Sequence, residues 1–128
     1  MRIAVCFFGL SRSLRTTHES IRENVLDPCR RTGETVSLAH LYYQGRVTNV
    51  RSGEDAVLDP DDYRLLDLDA VWLQFKVPAE LASIVERLKP FGDEWNDGFS
   101  SLNNLIRQLY SLSSVYQMTR LYEPDVVW

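Results

Sequence analysis

The segment Arg2-Ile-Ala-Val-Cys-Phe-Phe-Gly-Leu-Ser-Arg12 constrains the fold of this chain more than any other stretch. Residues 3–8 are uniformly apolar or small, without the polar alternation of a strand that has one face in water. Such a run predicts a strand that is buried on both faces, and strands of this kind belong to parallel sheets covered by helices. We therefore expect an α/β domain with this strand inside its sheet.

Strand and helix patterns alternate along the rest of the chain, as they do in doubly wound sheets. A helix over residues 15–26 is expected to end at Asp27-Pro28, and a strand over 35–43 follows it. This unit predicts a right-handed parallel crossover. Later segments predict, in order, an exposed loop over 44–54, a helical turn over 59–66, an edge strand over 70–77, a helix over 78–90, a long helix over 102–122 and a strand from residue 125.

These elements predict a three-layer, Rossmann-like α/β domain with a mainly parallel sheet. The expected strand order places the third strand at one edge, then the second, the first and the terminal strand, with helices on both faces. A chain of 128 residues has room for one core, so residues 1–128 are expected to form a single domain.

The long C-terminal helix has the clearest periodicity in the chain. Its apolar residues recur with helical spacing, and we expect this stripe to pack on the sheet: Leu102, Leu105, Ile106, Leu109, Leu112, Val115, Met118 and Leu121 or Tyr122. The other flank carries Asn104, Gln108 and Ser111, which are neutral hydrogen-bonding groups. Such a flank is typical either of a solvated helix face or of the wall of a binding site, and periodicity alone favours the solvated face.

Composition and charge exclude several classes of protein. The formal net charge is −4 and the cationic residues are spread among acidic ones, which argues against nucleic acid as a partner. No apolar run approaches the ~18 residues of a membrane span, and the N-terminal run lacks a signal-peptide cleavage site. A soluble, cytoplasmic protein without a membrane span is therefore expected.

Metal sites and common catalytic motifs are not predicted. The two cysteines and the two histidines lack the spacing of a metal or redox site. The triplets Asp59-Pro-Asp61 and Asp67-Leu-Asp69 could in principle hold Mg²⁺ or Mn²⁺, but the first straddles a helix start and the second precedes an apolar run. Both triplets are therefore interpreted as structural. Hydrolase, nucleotide triphosphatase and dehydrogenase signatures are also missing.

Polar and cationic residues follow the first strand where it leads into the first helix. Ligands of open parallel sheets bind beyond the carboxyl ends of the strands, which places Gly9, Ser11 and Arg12 in a candidate anion site. Glycine permits close backbone approach, helix N-terminal amides attract anions, and Arg12 could hold a phosphate through two hydrogen bonds. His40 lies near the end of the second strand and is a candidate ligand contact. On residues 2–12 alone, an ordinary strand-to-helix turn is the slightly better interpretation.

Four segments together resemble a known family. They are Arg2–Arg12, His40 near a strand end, Asn49-Val-Arg-Ser-Gly-Glu54, and Asn104-Leu-Ile-Arg-Gln-Leu-Tyr-Ser-Leu112 before a strand. This combination is similar to a group of bacterial and viral glycosyltransferases of the GT-A, nucleotide-diphospho-sugar transferase type. Members of this group are found among polysaccharide-biosynthesis proteins.

The resemblance implies a Rossmann-like half-domain that binds the nucleotide of a nucleotide-sugar donor. It places these residues at the nucleotide: Gly9, Ser11, Arg12, His40, Asn104 and Gln108. In the group, the strand that begins like Asp125-Val-Val-Trp128 should run into an Arg-x-Asp type acidic segment, which this sequence lacks. We therefore expect the N-terminal half of a longer enzyme, in which Mn²⁺ or Mg²⁺ could assist, and no residue here is assigned a catalytic role.

Two other classes of protein remain open. One is a noncatalytic flavodoxin-like or receiver-like binding module. A receiver should carry acidic residues just after its first strand, whereas the segment Gly9–Arg12 is cationic, which disfavours it. An assembly module is the other alternative, because the apolar terminal strand at residues 125–128 could pair with a second copy and form a homo-oligomer.

Overall fold

The structure, a computed structural model, describes all 128 residues. None of its helices is both long and apolar enough to cross a lipid bilayer. The regular elements are β1 Arg2–Gly9, α1 Leu14–Ile21, α2 Asp27–Thr32, β2 Glu34–Tyr42, β3 Arg46–Asn49, β4 Glu54–Val57, β5 Ala70–Gln74, α3 Ala79–Leu88, α4 Ser100–Thr119 and β6 Val126–Val127. Short 3-10 helices occupy Asp62–Leu66 and Lys89–Phe91.

The main sheet has four strands in the order β5-β2-β1-β6, and every neighbouring pair is parallel. β1 pairs with β2 along its whole length, from Arg2 opposite Glu34 to Gly9 opposite Leu41. The α/β class, the parallel sheet and the strand order predicted from the sequence are therefore confirmed.

Helices cover both faces of this sheet, which explains why β1 is apolar throughout. Ile3 and Val5 point to one face and pack against Leu26, in the helical segment between α1 and α2. Ala4 points to the opposite face and packs with Leu38 of β2 and Val115 of α4. Because successive strand residues alternate between faces, a central strand in this three-layer fold has no side that faces water.

The first helical region is longer than predicted. It does not end at Asp27-Pro28 but continues to Thr32, through a π-helical segment over Arg22–Leu26. In that segment the Asp27 N–H donates to the Arg22 carbonyl, five residues back. The wider turn comes immediately before the proline, whose missing N–H and bulky ring would interrupt a regular α-helix. The expectation of a helix end at Pro28 was therefore wrong.

The segment predicted as an exposed loop is an antiparallel hairpin of β3 and β4. The Arg46 guanidinium donates two hydrogen bonds to the Asp55 carboxylate across the strands, at 2.8 and 2.7 Å. The Asn49 side-chain oxygen accepts from the Arg51 N–H, and Gly53 takes a φ of +67° in the connection. Polar side chains thus hold the hairpin together, and for that reason hydrophobic periodicity did not predict it.

The orientation of α4 differs from the prediction. Val115 packs on the sheet as expected, but its neighbours there are the buried serines Ser111 and Ser114. Leu109 and Leu112 of the predicted packing stripe are about half exposed. Small side chains let the helix approach the sheet closely, and Ser111 makes hydrogen bonds there that a leucine could not make. The face of α4 that packs on the sheet is therefore partly polar.

Candidate functional site

A cleft of about 790 Å³ opens at the carboxyl ends of β1 and β2. Its walls come from the turn after β1, the β3–β4 hairpin, the loop before α4 and the first half of α4. The residues that line it are Phe8, Gly9, Leu10, Arg12, Tyr42, Gln44, Arg46, Val47, Thr48, Asn49, Arg51, Trp95, Ser101, Asn104, Leu105, Arg107 and Gln108. This is the edge at which ligands of open parallel sheets bind.

The cleft brings together four of the six residues that the sequence placed at a ligand. Gly9 and Arg12 come from the end of β1 and the turn after it, and Asn104 and Gln108 come from α4. Ser11 is half-buried but does not line the cleft. His40 is fully buried and does not reach the cleft either, so its place is beneath the site rather than against a ligand.

The cleft wall carries four arginines and no acidic residue. Two of the arginines have carboxylate partners outside the wall. The Arg12 Nη1 lies 2.6 Å from the Glu54 Oε2, and Arg46 is paired with Asp55. Arg51 and Arg107 form no ion pair. The cleft therefore presents positive charge that the protein itself does not neutralise, although the chain as a whole is acidic.

Aromatic and amide side chains complete the wall. Phe8 and Trp95 are each about half exposed, which leaves ring surface free for stacking against a planar ligand group. Asn104 and Gln108 supply hydrogen-bond donors and acceptors, and Asn49, whose side-chain oxygen accepts from the Arg51 N–H, supplies its amide N–H groups. The cleft thus combines cationic, planar apolar and neutral polar groups, which suits a ligand that has an anionic part and an aromatic part.

Tyr42 ties the cleft wall on α4 to the end of β2. Its hydroxyl donates a hydrogen bond to the Arg107 carbonyl at 3.0 Å. Burial raises the pKa of this hydroxyl, although the nearby Arg107 guanidinium opposes the shift. The hydroxyl therefore keeps its proton at neutral pH and remains a hydrogen-bond donor to α4.

A buried network around Ser111 fixes the end of β1. The Ser111 Oγ donates to the His40 carbonyl at 2.8 Å and accepts the Gly9 N–H at 2.9 Å. The His40 Nδ1 lies 2.7 Å from the same Oγ. Because the serine proton is already used, we infer that Nδ1 carries the hydrogen and donates it. The Nε2 of His40 is then an unprotonated nitrogen without a hydrogen-bond partner.

Gly9 turns the chain out of the sheet at this network. Its φ of +99° lies in the region that favours glycine, whereas a Cβ at this position would meet no atom within 4 Å. The backbone conformation, and not close packing, is therefore what favours glycine here. Gly9 lies at the floor of the cleft. Because its N–H donates a hydrogen bond to the Ser111 Oγ, this donor is not free to bind a ligand.

Acidification is expected to destabilise the protein through His40. Burial lowers the pKa of His40 below its ordinary 6.5, so the folded state keeps the ring neutral where the unfolded state would bind a proton. The free energy of unfolding should therefore fall as the pH decreases from about 6.5 through the lowered pKa, and level off below it. Urea unfolding at about pH 7.5 and about pH 5.5 measures this loss.

Two variants test whether His40 causes this pH dependence of the free energy of unfolding. His40→Asn retains an N–H donor near the Nδ1 position without a titrating ring, and its stability should change less between the two pH values. His18→Asn removes the other histidine, on α1, and should keep the wild-type dependence. An equal pH dependence in wild type and His40→Asn would contradict this account.

The cleft wall does not have the ligands of a divalent metal site. It contains no carboxylate, histidine or cysteine, whereas Mg²⁺ and Mn²⁺ prefer carboxylate oxygens. Elsewhere, no group of three or more histidine, cysteine, aspartate or glutamate side chains could hold a metal ion. The charged groups that the cleft offers to a ligand are therefore its arginines.

Comparisons of the chain with protein-family models, with curated protein sequences and with solved structures found no match. The similarity to glycosyltransferases thus depends on the four sequence segments described above. Three of those segments, Arg2–Arg12, Asn49–Glu54 and Asn104–Leu112, supply residues to the cleft wall.

Proposed function

We propose that the cleft binds the nucleoside diphosphate part of a nucleotide-sugar donor, and that this chain contains the donor-binding domain of a glycosyltransferase. The observation that carries the proposal is the pair Arg51 and Arg107, which line a cleft without acidic residues and have no ion-pair partner. Guanidinium groups bind phosphate oxygens through paired hydrogen bonds, and diphosphate is the charged part of such donors.

The arginines would also serve the chemistry of glycosyl transfer. When the bond between the sugar and the diphosphate breaks, negative charge develops on the leaving diphosphate. Cationic groups already placed around that charge stabilise the transition state. Arg51 from the hairpin and Arg107 from α4 stand on different walls of the cleft and could contact the diphosphate from two sides.

Other parts of the donor find suitable partners in the same cleft. The half-exposed rings of Phe8 and Trp95 offer stacking surfaces for a nucleobase. Asn49, Asn104 and Gln108 can exchange hydrogen bonds with base edges or ribose hydroxyls. Arg12 is held by Glu54 at 2.6 Å, so a phosphate must compete with that carboxylate for it. Arg12 is therefore a weaker contact than Arg51 or Arg107.

A thermal-shift screen tests the proposal. The chain is heated with UDP, GDP, CMP and their sugars, with the matching nucleosides as controls, each with and without Mn²⁺. A ligand at 100 times its dissociation constant stabilises the folded state by about 2.7 kcal/mol, so weak binders are detectable at high concentration. We expect diphosphates to raise the melting temperature more than nucleosides do. An absence of any shift, or equal shifts with nucleosides, would contradict the proposal.

A further inference from the structure

One stripe of α4 is only about half covered within the molecule. Leu105, Leu109, Leu112 and Tyr116 are 42%, 51%, 43% and 58% exposed. They are spaced by four, three and four residues, so they share one face of the helix and form a continuous row. We call these four residues the open stripe of α4. Large apolar side chains gathered in this way on a surface mark an interaction site.

The open stripe lies on the flank of α4 toward β6, and its first residue, Leu105, also lines the cleft. Val115 of α4 packs over Ala4 of β1, which marks the centre of the buried face. Tyr110, on the flank toward β2, contacts the ring of His40 at 5.7 Å between centroids. The stripe lies around the helix axis on the other side of Val115 from Tyr110. Since β6 is on the other side of β1 from β2, the stripe lies on the β6 side of α4.

β6 is an edge strand with apolar side chains on both faces. Val126, Val127 and Trp128 are 37%, 42% and 68% exposed. Val127 pairs with Ala4, so its side chain shares the face that α4 covers. No lysine, proline or bulge, the usual protections of a sheet edge, lies in this strand.

The outer side of β6 also presents free backbone groups. The Trp128 N–H donates to the Ala4 carbonyl at 2.8 Å, and the Trp128 carbonyl accepts from the Cys6 N–H at 2.7 Å. Successive residues of a strand point these groups in opposite directions, so the N–H and the carbonyl of Val127 point away from β1. They are available to another strand.

We propose that β6 and the open stripe of α4 form a two-fold interface with a second copy of this chain. β6 would pair antiparallel with the β6 of the other copy and extend the sheet across both molecules. A two-fold axis perpendicular to the sheet puts both α4 helices on the same face of the extended sheet. The two open stripes would then meet above the paired β6 strands.

Charge favours a second copy over a charged partner. α4 contains twenty residues, and only Arg107 among them carries a charge. Arg107 lines the cleft and lies on the flank of Tyr42, whose hydroxyl bonds its carbonyl. The open stripe therefore brings no like charges together when it meets itself, and it offers no charge to a basic or acidic partner.

The available area is close to what a stable dimer needs. With full side-chain areas of roughly 150–250 Å², the exposed fractions of the open stripe and of Val126, Val127 and Trp128 amount to roughly 600–700 Å² per copy. A standard interface buries about 800 Å² per partner, including its polar rim. The proposed contact supplies the apolar core of such an interface.

Sedimentation velocity from low micromolar to several hundred micromolar chain tests the dimer. The monomer has a mass of 14.8 kDa, and we expect a species of twice that mass to dominate at high concentration. Leu109→Glu places two like charges in the apolar contact and should weaken dimerisation by at least about 100-fold. Leu65→Glu is the matched control, because Leu65 is an exposed leucine outside this surface, and it should dimerise as the wild type does.

A second variant tests strand pairing separately. Val127→Pro removes the outward N–H of β6 and leaves both Trp128 hydrogen bonds to β1 in place. Circular dichroism first establishes that each variant is folded, and we then expect this one to be monomeric. A wild type that stays monomeric at every concentration would overturn the proposal. So would a folded Leu109→Glu variant that dimerises as strongly as the wild type.

Discussion

A double variant, Arg51→Ala with Arg107→Ala, is expected to bind nucleoside diphosphates at least about 100-fold more weakly than the wild type. Each charge-assisted hydrogen bond contributes about 1.5–3 kcal/mol, and the variant removes the two guanidinium groups of the cleft that have no carboxylate partner. Isothermal titration calorimetry with the diphosphate that gives the largest thermal shift measures the change. The fold should persist, because neither side chain makes an ion pair or a side-chain hydrogen bond within the protein.

The matched control separates specific contacts from total charge. Arg30→Ala with Arg64→Ala removes the same two charges from surface pairs with Asp27 and Asp61, away from the cleft. It should bind the diphosphate nearly as the wild type does. Equal affinities in the wild type and the Arg51/Arg107 variant would remove both residues from the site.

Ser111→Ala should destabilise the folded protein by about 2–4 kcal/mol, because buried polar groups left without partners cost about 1–3 kcal/mol each. The variant removes the oxygen that accepts the Gly9 N–H and lies against the His40 Nδ1, both within the buried network. It also leaves the His40 carbonyl without this donor. Urea unfolding monitored by circular dichroism measures the difference in free energy of unfolding.

Ser113→Ala is the control for that measurement. Ser113 lies two residues further along the same helix but is exposed, so its loss changes helix propensity without disturbing a buried network. Alanine is the better helix former, and this control should be unchanged or slightly more stable. A Ser111→Ala variant as stable as Ser113→Ala would show that the network contributes little.

The fold was predictable because a few short segments of the sequence determine the order and the direction of the strands. An apolar β1 without alternation requires cover on both faces, and the turn signals around β2 and β5 then fix a parallel order. The weaker predictions failed where polar contacts decide the structure. Hydrogen bonds between Arg46 and Asp55 stabilise the hairpin, and a pattern of hydrophobic residues cannot predict such a pair.

The predicted orientation of α4 was wrong for a related reason. Its leucines have helical spacing, but spacing alone does not say which molecule they pack against. Ser111 faces the sheet because Gly9 and His40, both distant in sequence, provide hydrogen-bond partners there. Two expectations were therefore wrong together: Ser111 of the polar flank is buried, whereas Leu105, Leu109 and Leu112 of the apolar stripe are exposed.

The candidate site could be located in part from the sequence. Gly9 and Arg12 follow a buried strand, and the topological rule places them at the ligand edge. Asn104 and Gln108 were singled out as a polar flank, and they line the same cleft. The roles of Arg46, Arg51 and Arg107 were not found, because which arginines face a cleft and which have acidic partners depends on tertiary contacts. Clustering of Arg46 and Arg51 in one glycine-flanked segment was the available signal.

The central claim is that this cleft binds a nucleoside diphosphate, and amide chemical-shift mapping tests it most directly. A two-dimensional ¹H–¹⁵N spectrum of the 14.8 kDa chain is recorded during titration with UDP, GDP and the matching nucleosides. The account predicts that the diphosphate shifts the amides of residues 49–51 and 104–108 and the indole N–H of Trp95. Shifts confined to surfaces away from these residues, or no shifts at saturating diphosphate, would contradict it.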